Sequence, residues 1–128
     1  MIDPNRGEVW WVQLDPTRGA EIQKTRPVVV LSPHRTGRST LRIVAPVIGW
    51  KTRFKVLPWM VELSPDDANG LSKPSGVDAS QLRAVDMERF EDQLGTLSVE
   101  DMALVTLAAQ ISIGAATAPS APTPAPSS

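Results

Sequence analysis

Apolar and polar positions along this chain fall into short runs broken by turn residues, a strand-rich pattern that ends in one helical stretch. Glu8 to Leu14 reads as a first strand, because Val9, Trp10, Trp11 and Val12 are β-formers bounded by Gly7 and by Asp15-Pro16. Alternation puts Trp10, Val12 and Leu14 on one face and Val9, Trp11 and Gln13 on the other. One face belongs to a core, and the second is a subunit contact or a stacking surface for bases. Pro27 to Leu31 is apolar throughout and reads as a central strand. Thr40 to Val47 reads as a third strand, and Pro46 within it suggests an edge or a bulge, since proline cannot donate to a ladder. Trp59 to Leu63 is a fourth strand, followed by a long turn-rich loop over 64–75. Gly76 to Val85 reads as one or two short strands with a bulge between them. Asp86 to Phe90 reads as a helical turn, and Gln93 to Thr96 as a last short strand.

Ser98 is a good N-cap for a helix, with Glu100 and Asp101 in its first turn, where the helix dipole favours acids. Met102, Val105, Ala109 and Ser112 share one stripe that Leu104, Leu107, Ala108 and Ile111 widen. Gly114 suits the position after the helix end. Residues 115–128 are small, uncharged and proline-rich, and read as a disordered tail outside a domain of residues 1–114. The pattern implies a mainly β fold, a small barrel with a helix packed on it.

A chain of 128 residues with 41% hydrophobic content is one domain with a modest core. It has no run of about 18 apolar residues that would span a membrane, and no signal peptide is expected. The absence of cysteine excludes disulfides and fits a cytoplasmic protein. A formal net charge of -1 hides an asymmetry. Nine of the 13 basic residues fall between positions 16 and 61, against the single acid Glu21. From 62 to 114 ten acids face Lys73, Arg83 and Arg89. Binding of a polyanion responds to local potential, so a basic half can serve a neutral chain, unless the two halves interleave in space.

The chemistry available is narrow. A single histidine, His34, and no cysteine exclude a zinc site built from those ligands and a pair of catalytic histidines. His34 reads as a solvated loop residue, and Asp66 to Gly70 as a plain turn rather than a calcium loop. What remains is Arg26, Glu21, Gln81 and Arg83, with Thr25, Thr52 and Ser80 as hydroxyls. Pro27 fixes the backbone behind Arg26 and leaves its guanidinium free at the mouth of a strand. Such a fork recognises phosphate well. The set suits phosphate chemistry on RNA with no metal and no cofactor. RNA carries its own nucleophile, and the protein need only align it and stabilise charge.

The segment Arg6 to Ser32, with its Gly19-Ala-Glu21 loop and Arg26-Pro27, resembles the N-terminal signature of the MazF/PemK toxins of type II toxin–antitoxin systems. Ser75-Gly-Val-Asp-Ala-Ser-Gln-Leu-Arg-Ala-Val-Asp86 and Leu94-Gly-Thr-Leu-Ser-Val-Glu-Asp-Met102 follow in matching order, so the resemblance spans roughly residues 6–114. It implies an SH3-like barrel of the CcdB/MazF type. It implies a homodimeric, metal-independent mRNA interferase that cuts single-stranded RNA at short sequences, leaving 2′,3′-cyclic phosphate and 5′-hydroxyl ends. A cognate antitoxin would lie across the RNA groove. Arg26 takes the catalytic arginine position, Glu21 the acidic one, and Gln81 and Arg83 the Gln-hydrophobic-Arg motif. The chain departs from the pattern at Ile48, where the family carries a catalytic threonine, so either Thr52 or Thr25 would supply the hydroxyl, or cleavage would be slow or absent.

Three basic loops, one with Arg18, Lys24 and Thr25, one with Arg35 and Arg38 and one with Lys51, Arg53 and Lys55, would follow the RNA backbone, with Arg83 binding RNA beside them. Trp50 and Phe54 would stack bases, or pack their loop against the barrel. Two other readings compete with the nuclease: a non-cleaving toxin of the same fold with a gyrase-type target, and a passive RNA-binding module.

Overall fold

A computed structural model of the chain describes residues 2–33 and 39–118. The expectations for His34, Arg35, Arg38 and residues 119–128 of the tail lie outside the described residues. Among the described residues there are seven strands and one α-helix: β1 Glu8–Gln13, β2 Thr25–Val30, β3 Leu41–Gly49, β4 Met60–Leu63, β5 Ser75–Asp78, β6 Arg83–Asp86, β7 Phe90–Thr96 and α1 Val99–Ser112. The fold is mainly β, with every strand pair antiparallel and a spatial order β4-β5-β3-β2-β1-β7. The sixth strand joins this path on β3.

β3 is central, not the edge that Pro46 suggested. On one side it pairs with β2, from Val44 to Pro46. On the other, Leu41 to Val44 pair with β6, and Val47 to Gly49 pair with β5. Ile43 faces β2, where its carbonyl accepts from the amide of Leu31 at 2.8 Å. Strand alternation then turns position 46 to the opposite side, into the gap where β6 has ended and β5 has not begun. A residue without an N–H costs no ladder bond there, which is how a proline fits a buried central strand.

The run Val28 to Leu31 is buried on both faces. Val29 and Leu31 join Val9, Val47, Leu63 and Val77 in a core closed by Met102, Val105, Ala108 and Ala109 of α1. Val28 and Val30 join Trp10, Val12, Leu14, Val44, Val85 and Phe90 in a second core on the opposite face. A strand buried on both faces needs no alternation, and this explains the unbroken valines.

α1 starts where expected, with the amide of Asp101 donating to Ser98 Oγ at 3.0 Å. Its buried stripe is narrower than the sequence implied. Leu104, Leu107 and Ser112 are exposed, because α1 contacts chiefly β4 and the short 3-10 turn Ala79–Gln81. That turn, rather than a bulge, separates β5 from β6. A second 3-10 turn, Met87–Arg89, leads into β7, which begins three residues earlier than its polar sequence suggested. Gly114 takes the expected left-handed conformation, with φ of 78°. Beyond it the amides of Ala115 and Ala116 still donate to the carbonyl of Gln110, so the helix end holds the chain past residue 114. Among the described residues no helix is long and apolar enough to cross a membrane.

Candidate active site

The ladder between β2 and β3 ends at Val28 and Pro46. Beyond that pair the strands part, and the residues that would have continued it line the two walls of a cleft of about 500 Å³. Thr25, Arg26 and Pro27 form one wall, and Val47, Ile48 and Gly49 the other. Trp11, which is 36% exposed, lies on the β1 side, and Leu94 comes from β7. The remaining border is the loop before β5, with Gly70, Leu71, Ser72 and Lys73.

Arg26 is held at one nitrogen only. Its Nε donates to the carbonyl of Gln23 at 3.1 Å, and among the described residues its two Nη atoms have no partner. A half-buried guanidinium anchored in this way keeps a two-pronged donor for an anion. Glu21 makes no hydrogen bond or ion pair with Arg26. Glu21 Oε1 instead accepts a short hydrogen bond from the amide of Arg18, while the Glu21 amide donates to the Arg18 carbonyl, so the two residues close a turn on each other. Lys24 sits in the left-handed region, with φ of 72°, just before Thr25 enters β2. Its carbonyl accepts from the Leu14 amide, which shuts the base of the loop over 14–24.

Three side chains from the next segment of the fold clamp that loop. Gln81 uses both ends of its amide: Oε1 accepts from the Ile22 amide at 2.7 Å and Nε2 donates to the Ala20 carbonyl at 2.9 Å. Arg83 Nη1 donates to the Leu14 carbonyl at 3.0 Å. Arg89 Nη1 donates to the carbonyls of Gln13 and Asp15. Gln81 and Arg83 therefore fix the approach to Arg26 through backbone contacts. With Glu21 they also border a second depression of about 450 Å³, separate in its lining from the Arg26 cleft.

The basic segment after β3 does something other than expected. Residues Thr52–Val56 form a 3-10 turn, and Thr52, Lys51, Arg53 and Lys55 are not among the residues that line the Arg26 cleft. Thr52 is exposed on that turn, so it does not bring a hydroxyl to Arg26; the hydroxyls on the cleft belong to Thr25, Ser72 and Ser75. Trp50 meets Phe54 edge to face at 5.7 Å and lies against Gly76, where a Cβ would come within 3.0 Å of its ring. The Arg53 guanidinium sits 5.4 Å above the Phe54 ring, which is 8% exposed. The aromatic pair packs the turn onto the sheet. Lys55 borders a different, apolar groove against Leu104 and Leu107 of α1.

Sequence reasoning placed the loop over 64–75 but gave it no part in the site. Its Asn69 is 1% exposed and fully used: Oδ1 accepts from the amides of Asp66 and Leu71, and Nδ2 donates to the Ser64 carbonyl. Asp66 Oδ1 accepts from the amides of Ala68 and Asn69, so Asp66 caps the plain turn expected there. Gly70 and Gly95 let this loop touch the β7 backbone. A Cβ on Gly70 would stand 2.1 Å from the Leu94 carbonyl oxygen, and one on Gly95 would stand 2.1 Å from that of Ala68. The available signal was a lone lysine in Leu71-Ser-Lys-Pro-Ser75, the only base in an otherwise acidic stretch leading into a strand.

This geometry meets comparison with known proteins. The profile of the family described as PemK-like, MazF-like toxins of type II toxin–antitoxin systems matches residues 5–113. The chain belongs to that family. It is similar to endoribonuclease MazF9 of Mycobacterium tuberculosis, with 36% identity over 104 residues, 77% of this chain and 86% of the relative. It is similar to the endoribonuclease toxin MazF of Escherichia coli K12, with 31% identity over 87% of this chain and 95% of the relative. A crystal structure of MazF from Deinococcus radiodurans superposes with a TM-score of 0.74 at 28% identity, covering 89% of this chain and 99% of that one. The PemK/MazF fold is thus present over the sheet and helix described above.

Proposed function

We propose that this chain is a sequence-specific, metal-independent endoribonuclease of single-stranded RNA, the toxin of a toxin–antitoxin pair. The observation that carries the chemistry is Arg26, tethered at Nε with its Nη atoms unpartnered, on a cleft between parted strands. In the proposed reaction the ribose 2′-oxygen forms a bond to phosphorus and the bond from phosphorus to the 5′-oxygen breaks. The 2′-hydroxyl loses one proton and the leaving oxygen gains one, giving 2′,3′-cyclic phosphate and 5′-hydroxyl ends. Arg26 stays protonated and stabilises the charge that builds on the phosphoryl oxygens, because a guanidinium is a poor base at neutral pH. Gln81, Glu21 and Arg83 hold the loop that aims it. Thr25 supplies the hydroxyl beside it on the wall facing Ile48. Metal independence is supported by the donor set: Arg26, Lys73, Thr25, Ser72 and Ser75 line the cleft, and among the described residues no carboxylate does.

The domain would comprise residues 1–114 with residues 115–128 as an appendage, and it would act in the cytoplasm as a homodimer. An antitoxin partner is supported by the likeness to a MazE–MazF structure from Deinococcus radiodurans, with a TM-score of 0.66 and 27% identity over 91% of this chain and all of that one. Arg18 and Lys24, both exposed on the clamped loop, would track the RNA backbone into the cleft. Incubation with a long single-stranded RNA in EDTA tests the reading. Discrete cuts with cyclic-phosphate ends are expected, falling by on the order of 1,000-fold in Arg26→Ala. Intact RNA that is nevertheless bound would mean that Ile48, in place of a hydroxyl, leaves a passive RNA-binding module.

A further inference from the structure

We propose that Lys73 is a second catalytic cation, touching the scissile phosphate from the loop that borders the Arg26 cleft. The proposal rests on the nuclease reading above and adds a residue to it. Three observations lead there. Among the described residues, Arg26 and Lys73 are the two cationic ones that line the cleft, and they come from different elements: the strand β2 and the loop before β5. The Lys73 ammonium reaches back over the end of β3, with Nζ 3.8 Å from where a Cβ on Gly49 would stand. Among the described residues that ammonium has no hydrogen-bond or ion-pair partner, although its own carbonyl accepts from Ser75 Oγ.

The surroundings favour such a role. The cleft lining also includes the apolar Pro27, Val47, Ile48, Leu71 and Leu94, which keep water from an anion held there. Electrostatic interactions strengthen where water is displaced by apolar walls. A phosphodiester carries two non-bridging oxygens. A guanidinium on one side and an ammonium on the other can each take one while the negative charge grows. Ile48 offers no donor, so a second donor has to come from elsewhere on the cleft border. The loop that carries Lys73 is also well held. Asn69 and Asp66 cap its turn, Gly70 and Gly95 lock it to β7, and the Pro74 carbonyl accepts from the Trp50 amide at 3.1 Å. A flexible side chain is thus mounted on a fixed backbone, which limits the entropy lost when it engages.

The test uses the full chain, a single-stranded RNA substrate and the same strand with a 2′-deoxyribose at the cut site, which binds without reacting. Lys73→Gln is expected to lower the single-turnover rate at saturating RNA by on the order of 100-fold. Lys73→Arg is expected to restore most of that rate, since it returns the charge. Melting temperatures of both variants should stay at the wild-type value, because the side chain is exposed and makes no contact that the fold depends on. A Lys73→Gln enzyme that cuts at the wild-type rate under saturation overturns the proposal, even if its affinity for the deoxy strand has dropped. In that case Arg26→Ala would still abolish cleavage, and the nuclease reading would stand alone. Wild-type protein that leaves RNA intact overturns both.

Discussion

The turn at Thr52–Val56 and the loop over 64–75 have exchanged the roles that their compositions suggested. The first holds Lys51, Arg53 and Lys55 with two aromatic neighbours, and by charge alone it is the nucleic-acid surface. In the structure its aromatics pack on each other and on Gly76, and its cations lie off the Arg26 cleft. The second is acidic and turn-rich, and by composition it is a connector. In the structure it forms one border of the cleft. The difference lies in what each segment does with its backbone. The basic turn has no side-chain cap at its N-terminus. The acidic half uses its carboxylates as caps: Asp66 for the amides of Ala68 and Asn69, Asp78 for Ser80, Asp86 for Glu88. Those three acids serve local geometry.

The comparison is put at risk most severely at Gly95. A methyl group there meets the Ala68 carbonyl, a backbone atom that can retreat only by lifting the loop from β7. Gly95→Ala should cost about 3 kcal/mol by overpacking, a fall in melting temperature of roughly 10 °C or more. Cleavage should fall with it even in protein that remains folded at the assay temperature, because the Lys73 wall moves. Next in size is Asn69→Ala. It strips partners from the Ser64 carbonyl and from the amides of Asp66 and Leu71, and should cost about 2 kcal/mol in chemical denaturation. If either variant retains full cleavage after its wall has loosened, the loop is a connector after all.

What the sequence disclosed and what it hid follow from the range of the interactions involved. The central valines, the Ser98 cap and the Gly114 terminus are set by local periodicity and backbone preference, and each stands where the sequence put it. Arg26 was legible because Pro27 fixes its backbone. Gln81 could be named as a site residue, but its two hydrogen bonds run to Ile22 and Ala20, about sixty positions away in sequence, and no spacing announces them. Pro46 misled for the same reason. Its place in a central strand depends on β5 and β6 meeting β3 end to end, which is a fact of topology. Lys73 stayed hidden because one lysine among acids has no pattern, and only the folding of its loop onto β7 brings it to the cleft.

A smaller effect separates the two segments by kind rather than by size. Replacing Lys51, Arg53 and Lys55 together with glutamine should weaken binding of the unreactive deoxy strand by about tenfold at low salt and flatten its salt dependence. The rate at saturating RNA should not change. Exposed cations away from the reacting phosphate raise encounter and affinity without distinguishing the transition state from the ground state. A loss of rate at saturation would return the basic turn to the active site and break the comparison.

The smallest effect tests whether the acids of the second half are caps. Asp86 is the sharpest case, since the Glu88 amide and the Thr40 hydroxyl both donate to it and Arg89 adds a favourable charge. Together these hold its carboxyl below the usual carboxylate range in the folded state. A group whose folded pKa is depressed stabilises the fold above its unfolded pKa, and that contribution disappears as pH falls through the folded value. Asp86→Ala should therefore melt slightly below wild type at neutral pH, and the two curves should converge in acid. A parallel offset at every pH would mean that the carboxylate contributes shape alone, and the division of labour between a basic surface and a carboxylate-capped scaffold would lose its electrostatic half.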